Sequence, residues 1–220
     1  MRVVIAGGHG KIALRLARVL AGQGDTPVGL VRDPGHERDV REAGAEAIVC
    51  DLETAGVEEV AAHLRGADAA VFAAGAGPGS GAARKDTVDR AAAVLLAEAA
   101  ERAGVRRFVQ ISAMGADRPP EPGAGEVWAA YIRAKADAED DLRARDLDWT
   151  VLRPGGLTDD PGTGLVTLAE PLVPRGGVTR DDVAAVIAGL LGTPGTGGRT
   201  LELVGGDTPV DEAVRAVASS

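Results

Sequence analysis

Residues 3–20, VVIAGGHGKIALRLARVL, run from an apolar stretch through a glycine turn into an amphipathic helix without a gap. Val3, Val4, Ile5 and Ala6 make the kind of continuous apolar run that becomes a buried parallel strand. Gly7, Gly8, His9 and Gly10 come directly after it, and a helical pattern begins at Lys11 or Ile12. The spacing Gly7-x-x-Gly10-x-x-Ala13 puts small residues where a backbone turns tightly, approaches a pyrophosphate closely and packs a helix on a strand. Amides at the positive end of that helix then hold phosphate oxygens. The same order also describes an ordinary strand–turn–helix corner, so the reading depends on the rest of the chain.

Beyond this segment the chain alternates between strand and helix patterns. Strands are predicted at 2–6, 27–31, 46–49, 68–73, 106–111 and 148–152. Helices are predicted at 11–22, near 36–43 and 54–64, and at about 84–103 and 127–145. Apolar strands separated by helices of this length imply an α/β fold with a doubly wound parallel sheet covered on both faces. After Pro154 the pattern loosens into glycine, proline and threonine over 154–179. A helix at 180–191, a strand at 200–204 and a short helix near 209–218 close the chain. No repeat or linker divides the 220 residues, so one dinucleotide-binding domain is expected, its substrate side mainly within 154–220. The proline-rich stretch ADRPPEPGAGE at 116–126 reads as a mobile loop, not a boundary.

Charge and composition narrow the partners. Asp+Glu outnumber Lys+Arg by 33 to 24, a formal charge of -9, which argues against nucleic acid and anionic membrane surfaces. Cys50 stands alone, which excludes an internal disulfide and a thiolate cluster. His9, His36 and His63 are scattered and read as lacking carboxylates at ligand spacing, so no metal is expected. No apolar run approaches the roughly 20 residues that span a bilayer, and Arg2 leads straight into a strand. A cytoplasmic protein with a small-molecule substrate is expected.

In such a sheet ligands bind at the carboxyl ends of the strands. The second strand ends in VRDP: Arg32 suits a 2′-phosphate, which favours NADPH, while Asp33 could serve a ribose instead. Asp51 and Leu52 come after the third strand, where an adenine would lie, although Asp51 could equally cap the next helix. Small residues in AAGAGPGSG, Ala73 to Gly81, let a loop pass beneath ribose and phosphates. Ser112 ends the fifth strand, and Tyr131-x-x-x-Lys135 puts phenol and ammonium on one helical face. A lysine there is expected to lower the phenol pKa and make it a proton donor or acceptor beside a hydride transfer, with Ser112 polarising a carbonyl. Tyr131 could otherwise be a packed aromatic, with Lys135 holding only a ribose.

The motifs GGHGKIA, GADAAVFAAGAGPGSG, RRFVQISAMGADRP, YIRAKADAEDDLRARDLDWTVLRPGGL and VTRDDVAAVIAGLL, in that order, resemble the atypical short-chain dehydrogenases/reductases. The matching group is the NAD(P)H-binding one that includes NADH-flavin reductase-like, biliverdin reductase B-like and NmrA-like proteins, and the likeness covers residues 1–210. The resemblance implies a Rossmann fold. It implies Gly7, Gly10, Lys11 and Ile12 at the pyrophosphate, Arg32 at the 2′-phosphate, and Asp51 and Leu52 at the adenine. Ala73, Ala74 and Gly75 would line the ribose, Lys135 the nicotinamide ribose, and Pro154 and Gly155 the nicotinamide. Thr179 or Asp181 would cap the late helix that begins near 180. The chain contains no asparagine, so the asparagine of the usual proton relay is missing.

Three functions are expected on these grounds. The first is an NADPH-dependent reductase of a small carbonyl, quinone or flavin-like substrate. The others are a non-catalytic NAD(P)-binding sensor of NmrA type and a nucleotide-sugar epimerase. Residues 116–127 and 156–178 would wall the pocket. Leu157, Leu165 and Leu168 would be its apolar side, Trp128 a stacking surface and Trp149 core. A homodimer through 84–103 and 127–145 is a family-level expectation.

Overall fold

The computed structural model describes residues 1–77, 79–119, 123 and 125–219. Pro78 in the small-residue loop and Pro120, Glu121, Pro122 and Ala124 in the proline-rich stretch lie outside the described residues. β1 (Arg2–Ala6) leads to α1 (Lys11–Gly22), and β2 (Thr26–Val31) leads through a short 3-10 turn to α2 (Glu37–Glu42). β3 (Glu46–Val49) precedes α3 (Val57–Leu64). β4 (Ala69–Phe72) precedes α4 (Ala82–Arg84), a π-helical segment (Lys85–Ala91) and α5 (Ala92–Ala103). β5 (Arg107–Ile111) is followed by α6 (Glu126–Arg143) and β6 (Asp148–Pro154). Then come β7 (Gly156–Thr158), β8 (Leu165–Ala169), β9 (Gly177–Thr179), α7 (Arg180–Gly192), β10 (Arg199–Gly205), β11 (Thr208–Pro209) and α8 (Val210–Ala218).

The main sheet runs β11-β8-β10-β6-β5-β4-β1-β2-β3. The strands from β3 to β10 pair in parallel, and β8 and β11 extend the far edge antiparallel. The order reverses beside β1, between β2 and β4, so a crevice opens above their carboxyl ends. Alternation along each strand sends residues to opposite faces. Val3, Ile5, Val71 and Val109 pack under α1 and α7, whereas Val4, Ala6, Phe72 and Phe108 pack under α3, α5 and α6.

Three local departures from the sequence reading have physical causes. The helix expected from 54 begins at Val57. Residues 51–54 instead form a turn, with the Asp51 Oδ1 accepting the Glu53 amide at 3.0 Å, so Asp51 does not cap that helix. The helix expected over 84–103 is wide-turned from Lys85 to Ala91, which brings Lys85, Val88 and Asp89 inward. The stretch 154–179 contains β7, β8 and β9, β7 pairing with β9 in a separate small sheet. Of the two expected caps for α7, Thr179 fills the role, its hydroxyl oxygen accepting the Asp182 amide. Asp181 pairs with Arg15 at 2.6 Å. Trp149 is half-buried against the face under α3, α5 and α6, as expected of a core residue.

The glycine turn is wedged between neighbouring backbones. A Cβ on Gly8 would stand 2.6 Å from Gly29 Cα, and the Gly8 amide donates to the Leu30 carbonyl at 2.9 Å. Gly8→Ala therefore forces backbone apart and is expected to cost about 1–3 kcal/mol. Gly22→Ala, with nothing within 4 Å, should be neutral or stabilising by up to about 1 kcal/mol. Urea unfolding of the two variants beside wild type checks the contrast.

Candidate functional site

The crevice is a trough of three adjoining cavities along the carboxyl ends of the strands. Their volumes are about 330, 830 and 650 Å³. Gly10 and Ala73–Gly75 line both of the first two, and Gly7 lines the smaller. Gly7 has φ +74°, and a Cβ there would meet Ala74 Cα at 2.6 Å. Gly10 caps α1 without a side chain, and no acidic residue stands in the first turn. The helix amides are thereby left to a ligand with negative charge. Lys11 Nζ is paired with Asp159 at 2.6 Å, and Ile12 lines the central cavity.

At the 330 Å³ end, Arg32, Asp51 and Leu52 line one cavity, as the sequence places them. Arg32 reaches Glu53 at 3.1 Å, and the same carboxylate takes Arg84 at 2.7 Å and the Thr87 hydroxyl at 2.8 Å. The Thr87 hydrogen bond and the two guanidiniums hold the Glu53 carboxyl below its usual range despite the opposing effect of burial. Asp33 Oδ1 accepts the Gly35 amide at 2.8 Å and so caps the 3-10 turn. The sequence reading anticipates neither Arg84 nor the stacking of His9 on His36, at 3.7 Å with 5° between rings. The histidines do have carboxylate neighbours, contrary to expectation. His9 Nε2 lies 2.9 Å from Asp39, and Cys50, Glu59 and His63 bring ligand atoms within 4.8 Å of one another. Glu59 is exposed, and burial pushes the Cys50 thiol up to about 11, away from the thiolate a metal would take.

The central cavity holds the residues of α6. Tyr131, Lys135 and Ser112 share its wall with Pro154, and Pro154 and Gly155 also line the 650 Å³ cavity. Lys135 is buried. Its Nζ donates to the Ile111 carbonyl at 3.2 Å and pairs with Asp89 at 3.2 Å. Burial pushes its pKa down, against the pull of Asp89 and Glu139. The expected effect on Tyr131 is reversed. Burial pushes the phenol up to about 12, and the Asp89 carboxylate adds to the rise. Lys85 and Lys135 place their ammonium groups 5.2 and 5.7 Å from the Tyr131 ring centroid.

Ser112 is committed elsewhere than expected. Its hydroxyl donates to Glu139 Oε1 at 2.5 Å. Glu139 is fully buried and also accepts from Arg153 at 2.6 and 2.9 Å and from Arg143 at 2.6 Å. Burial disfavours the Arg153 charge, but Glu139 and Asp117 outweigh it and raise its pKa. Lys85, Asp89, Glu139 and Arg153 all escape the sequence reading. For three of them the signal is spacing, since Tyr131, Lys135, Glu139 and Arg143 recur every four residues, as do Lys85 and Asp89, whereas Arg153 lies on β6 outside any such pattern. In the 650 Å³ cavity Trp128 and Leu157 line the wall as expected, but Leu165 and Leu168 do not. They sit on β8, where Leu168 packs into the core.

A doubly wound sheet whose switch-point crevice opens over a glycine turn and the start of a helix with no side-chain cap defines a dinucleotide-binding α/β protein. A family described as NAD(P)H-binding matches residues 7–194, and the chain belongs to it, within the atypical short-chain dehydrogenase/reductase group. It is 37% identical over 216 residues to the protein named "uncharacterized sugar epimerase YhfK" of Bacillus subtilis, covering 98% of this chain and 99% of that one. It is 31% identical over 240 residues to a 3-diazoavenalumate denitrifying reductase of a Streptomyces species, covering 100% of this chain and 73% of the relative. A solved structure from Bacillus halodurans, provisionally named an NAD-dependent epimerase/dehydratase, superposes with a TM-score of 0.91 at 35% identity. That match covers 98% of this chain and 99% of the other. Among the described residues no helix is long and apolar enough to cross a membrane.

Tyr131 is the single tyrosine, so its ionisation can be followed by ultraviolet absorbance without ambiguity. The midpoint should fall near 12 in the folded protein and lower in Asp89→Asn. An acid raised in the folded state contributes stability in full below its unfolded value of about 10 and loses it as pH climbs through 12. A midpoint near 10 in the folded wild type would show that the phenol is neither buried nor facing Asp89.

Proposed function

We propose that the protein is an NADPH-dependent reductase that delivers a hydride to a small carbonyl, quinone or flavin-like acceptor. The observation that carries the reading is continuity: one trough joins the glycine turn to Tyr131 and Lys135. Gly7 and Gly10 let the turn lie flush on the backbone of Ala73 and Ala74 at the start of α1, where phosphates would sit, with Lys11 and Ile12 beside them. Asp51 and Leu52 take the adenine, Ala73, Ala74 and Gly75 the ribose, and Pro154 and Gly155 the nicotinamide. Arg32, joined by Arg84, supports a preference for the 2′-phosphate over NADH.

A reduced nicotinamide, when bound, supplies the hydride. Lys135, fixed by Asp89, holds the adjoining ribose and keeps a positive charge near the acceptor. Tyr131, kept as a neutral phenol by burial, gives its proton to the acceptor oxygen. Ser112, its own proton directed to Glu139, serves to lock α6 against β5. The Streptomyces relative's name as a reductase supports this class of chemistry. The epimerase names of the two Bacillus proteins favour a second reading, in which hydride is taken and returned and no NADPH is consumed.

Two measurements test the reductase reading. NADPH should bind about tenfold tighter than NADH, and Arg32→Ala should remove the difference, a loss of one charge-assisted phosphate contact. Equal affinities would refute the NADPH preference. With a quinone or aldehyde acceptor, Tyr131→Phe should slow NADPH oxidation by about 10²–10³-fold with cofactor affinity within twofold of wild type. A fully active Tyr131→Phe would remove the phenol from the mechanism.

A further inference from the structure

Glu53 ties together the rim of the 330 Å³ cavity. Arg32, Glu53 and Arg84 all line that cavity and come from separate segments. Arg32 follows β2, Glu53 lies in the turn after β3, and Arg84 ends α4. One oxygen of Glu53, Oε2, accepts from both guanidiniums, Arg32 at 3.1 Å and Arg84 at 2.7 Å. The other, Oε1, accepts from the Thr87 hydroxyl at 2.8 Å. The Glu53 side chain is 24% exposed, against 55% for Arg32 and 41% for Arg84, so the carboxylate is the best sheltered member of the cluster. Among the described residues, Glu53 is the one carboxylate paired with either guanidinium.

Two guanidiniums converging on one anion is a geometry that suits a phosphate as well as a carboxylate. Glu53 directly follows Asp51 and Leu52, the residues assigned to the adenine, so its carboxylate stands at the end of the trough where the adenosine ribose belongs. We propose that Glu53 is a specificity-determining residue: it holds the 2′-phosphate position between Arg32 and Arg84, and the phosphate of NADPH binds by taking the two guanidiniums from it. NADH has no phosphate at that position and leaves the pairs intact. The inference rests on the reductase reading for the adenine's place.

Two effects of Glu53 oppose each other. The carboxylate gathers the guanidiniums before a ligand arrives, which favours binding, and it neutralises them, which disfavours it. Neutralisation is the larger effect, because a phosphate monoester, with a charge of about -1.5 to -2, gathers the same two groups more strongly once bound. Glu53→Gln separates the two effects. The amide keeps an acceptor oxygen for the cluster and loses the charge.

Calorimetric titration of NADPH and of NADH tests the proposal on wild type, Glu53→Gln, Arg32→Ala/Arg84→Ala and the triple variant that combines all three substitutions. None of these side chains belongs to the core. Glu53→Gln should bind NADPH about five- to tenfold tighter than wild type, the size of one charge-assisted contact released, and NADH within about twofold of it. Without the two arginines the same substitution should change NADPH affinity by less than about twofold, since no guanidinium is left to release. The proposal is overturned if Glu53→Gln leaves NADPH affinity unchanged or weakens it, or if the gain persists without the arginines, as a general effect of net charge would. It is also overturned if NADH weakens about fivefold or more, which would put Glu53 on a ribose hydroxyl. Should NADPH bind and Glu53→Gln not strengthen it, the inference falls and the reductase reading stands. Should the affinities shift as expected while no quinone, flavin or aldehyde oxidises the bound NADPH, the reductase reading falls and the role of Glu53 stands. If neither dinucleotide binds any of the four proteins, both fall.

Discussion

Three backbones meet at the carboxyl ends of β1, β2 and β4 with no space for a side chain between them. Gly7 faces Ala74 and Gly8 faces Gly29, each at 2.6 Å from a hypothetical Cβ to the opposing Cα. This contact fixes where the first loop must turn and therefore where α1 begins. It also fixes the path of the loop after β4, since that loop runs over Gly7. A trough at the switch point results from close-packed backbone, and everything the protein can bind there is positioned relative to that floor.

Above the floor, one helix links the chemistry to the body of the sheet. Tyr131, Lys135, Glu139 and Arg143 stand four residues apart on one face of α6. Tyr131 faces the cavity, Lys135 is tied to Asp89 of the π-helical segment, and Glu139 binds Ser112 on one side and Arg153 of β6 on the other. Buried charges of this kind add little net stability compared with apolar packing, but removing one partner strands the other. The network therefore specifies the angle and height of α6 more than it strengthens the fold. The proton transfer proposed for Tyr131 would need that kind of placement.

The legible parts of the chain are those whose causes are local. A glycine turn needs no distant residue to declare itself, and apolar runs between helical patterns point to a doubly wound parallel sheet by the crossover rule. Thr179 as a cap is likewise a local matter. Sequence reasoning fails where a residue's state is set by a partner far along the chain. Lys135, four residues away, suggests an acidified Tyr131. The phenol is instead held neutral by burial and by Asp89, forty-two positions earlier, which also neutralises that lysine. Ser112 looks free for a carbonyl because nothing near it in sequence reveals Glu139. Leu165 and Leu168 look like pocket wall because a glycine- and threonine-rich stretch hides the alternation that makes β8. Glu59 and His63, by contrast, stand at helical spacing and are open to a local reading.

Uneven charge along the trough ties these observations together. In the 330 Å³ cavity the guanidiniums of Arg32 and Arg84 already share Glu53, so an incoming phosphate must displace or share an existing pair. That exchange reduces the net gain from the phosphate but makes a ligand without one leave the pairing intact, which is discrimination by difference. At the opposite end Arg118 and Arg175 line the 650 Å³ cavity, Arg118 with Asp117 at 3.8 Å. Between them the central cavity is lined by Lys11, Lys85, Lys135 and Arg180 and, among its described lining residues, by a single carboxylate, Asp89. A chain with a formal charge of -9 thus gathers cationic side chains along one groove, where low-dielectric walls strengthen each contact they make.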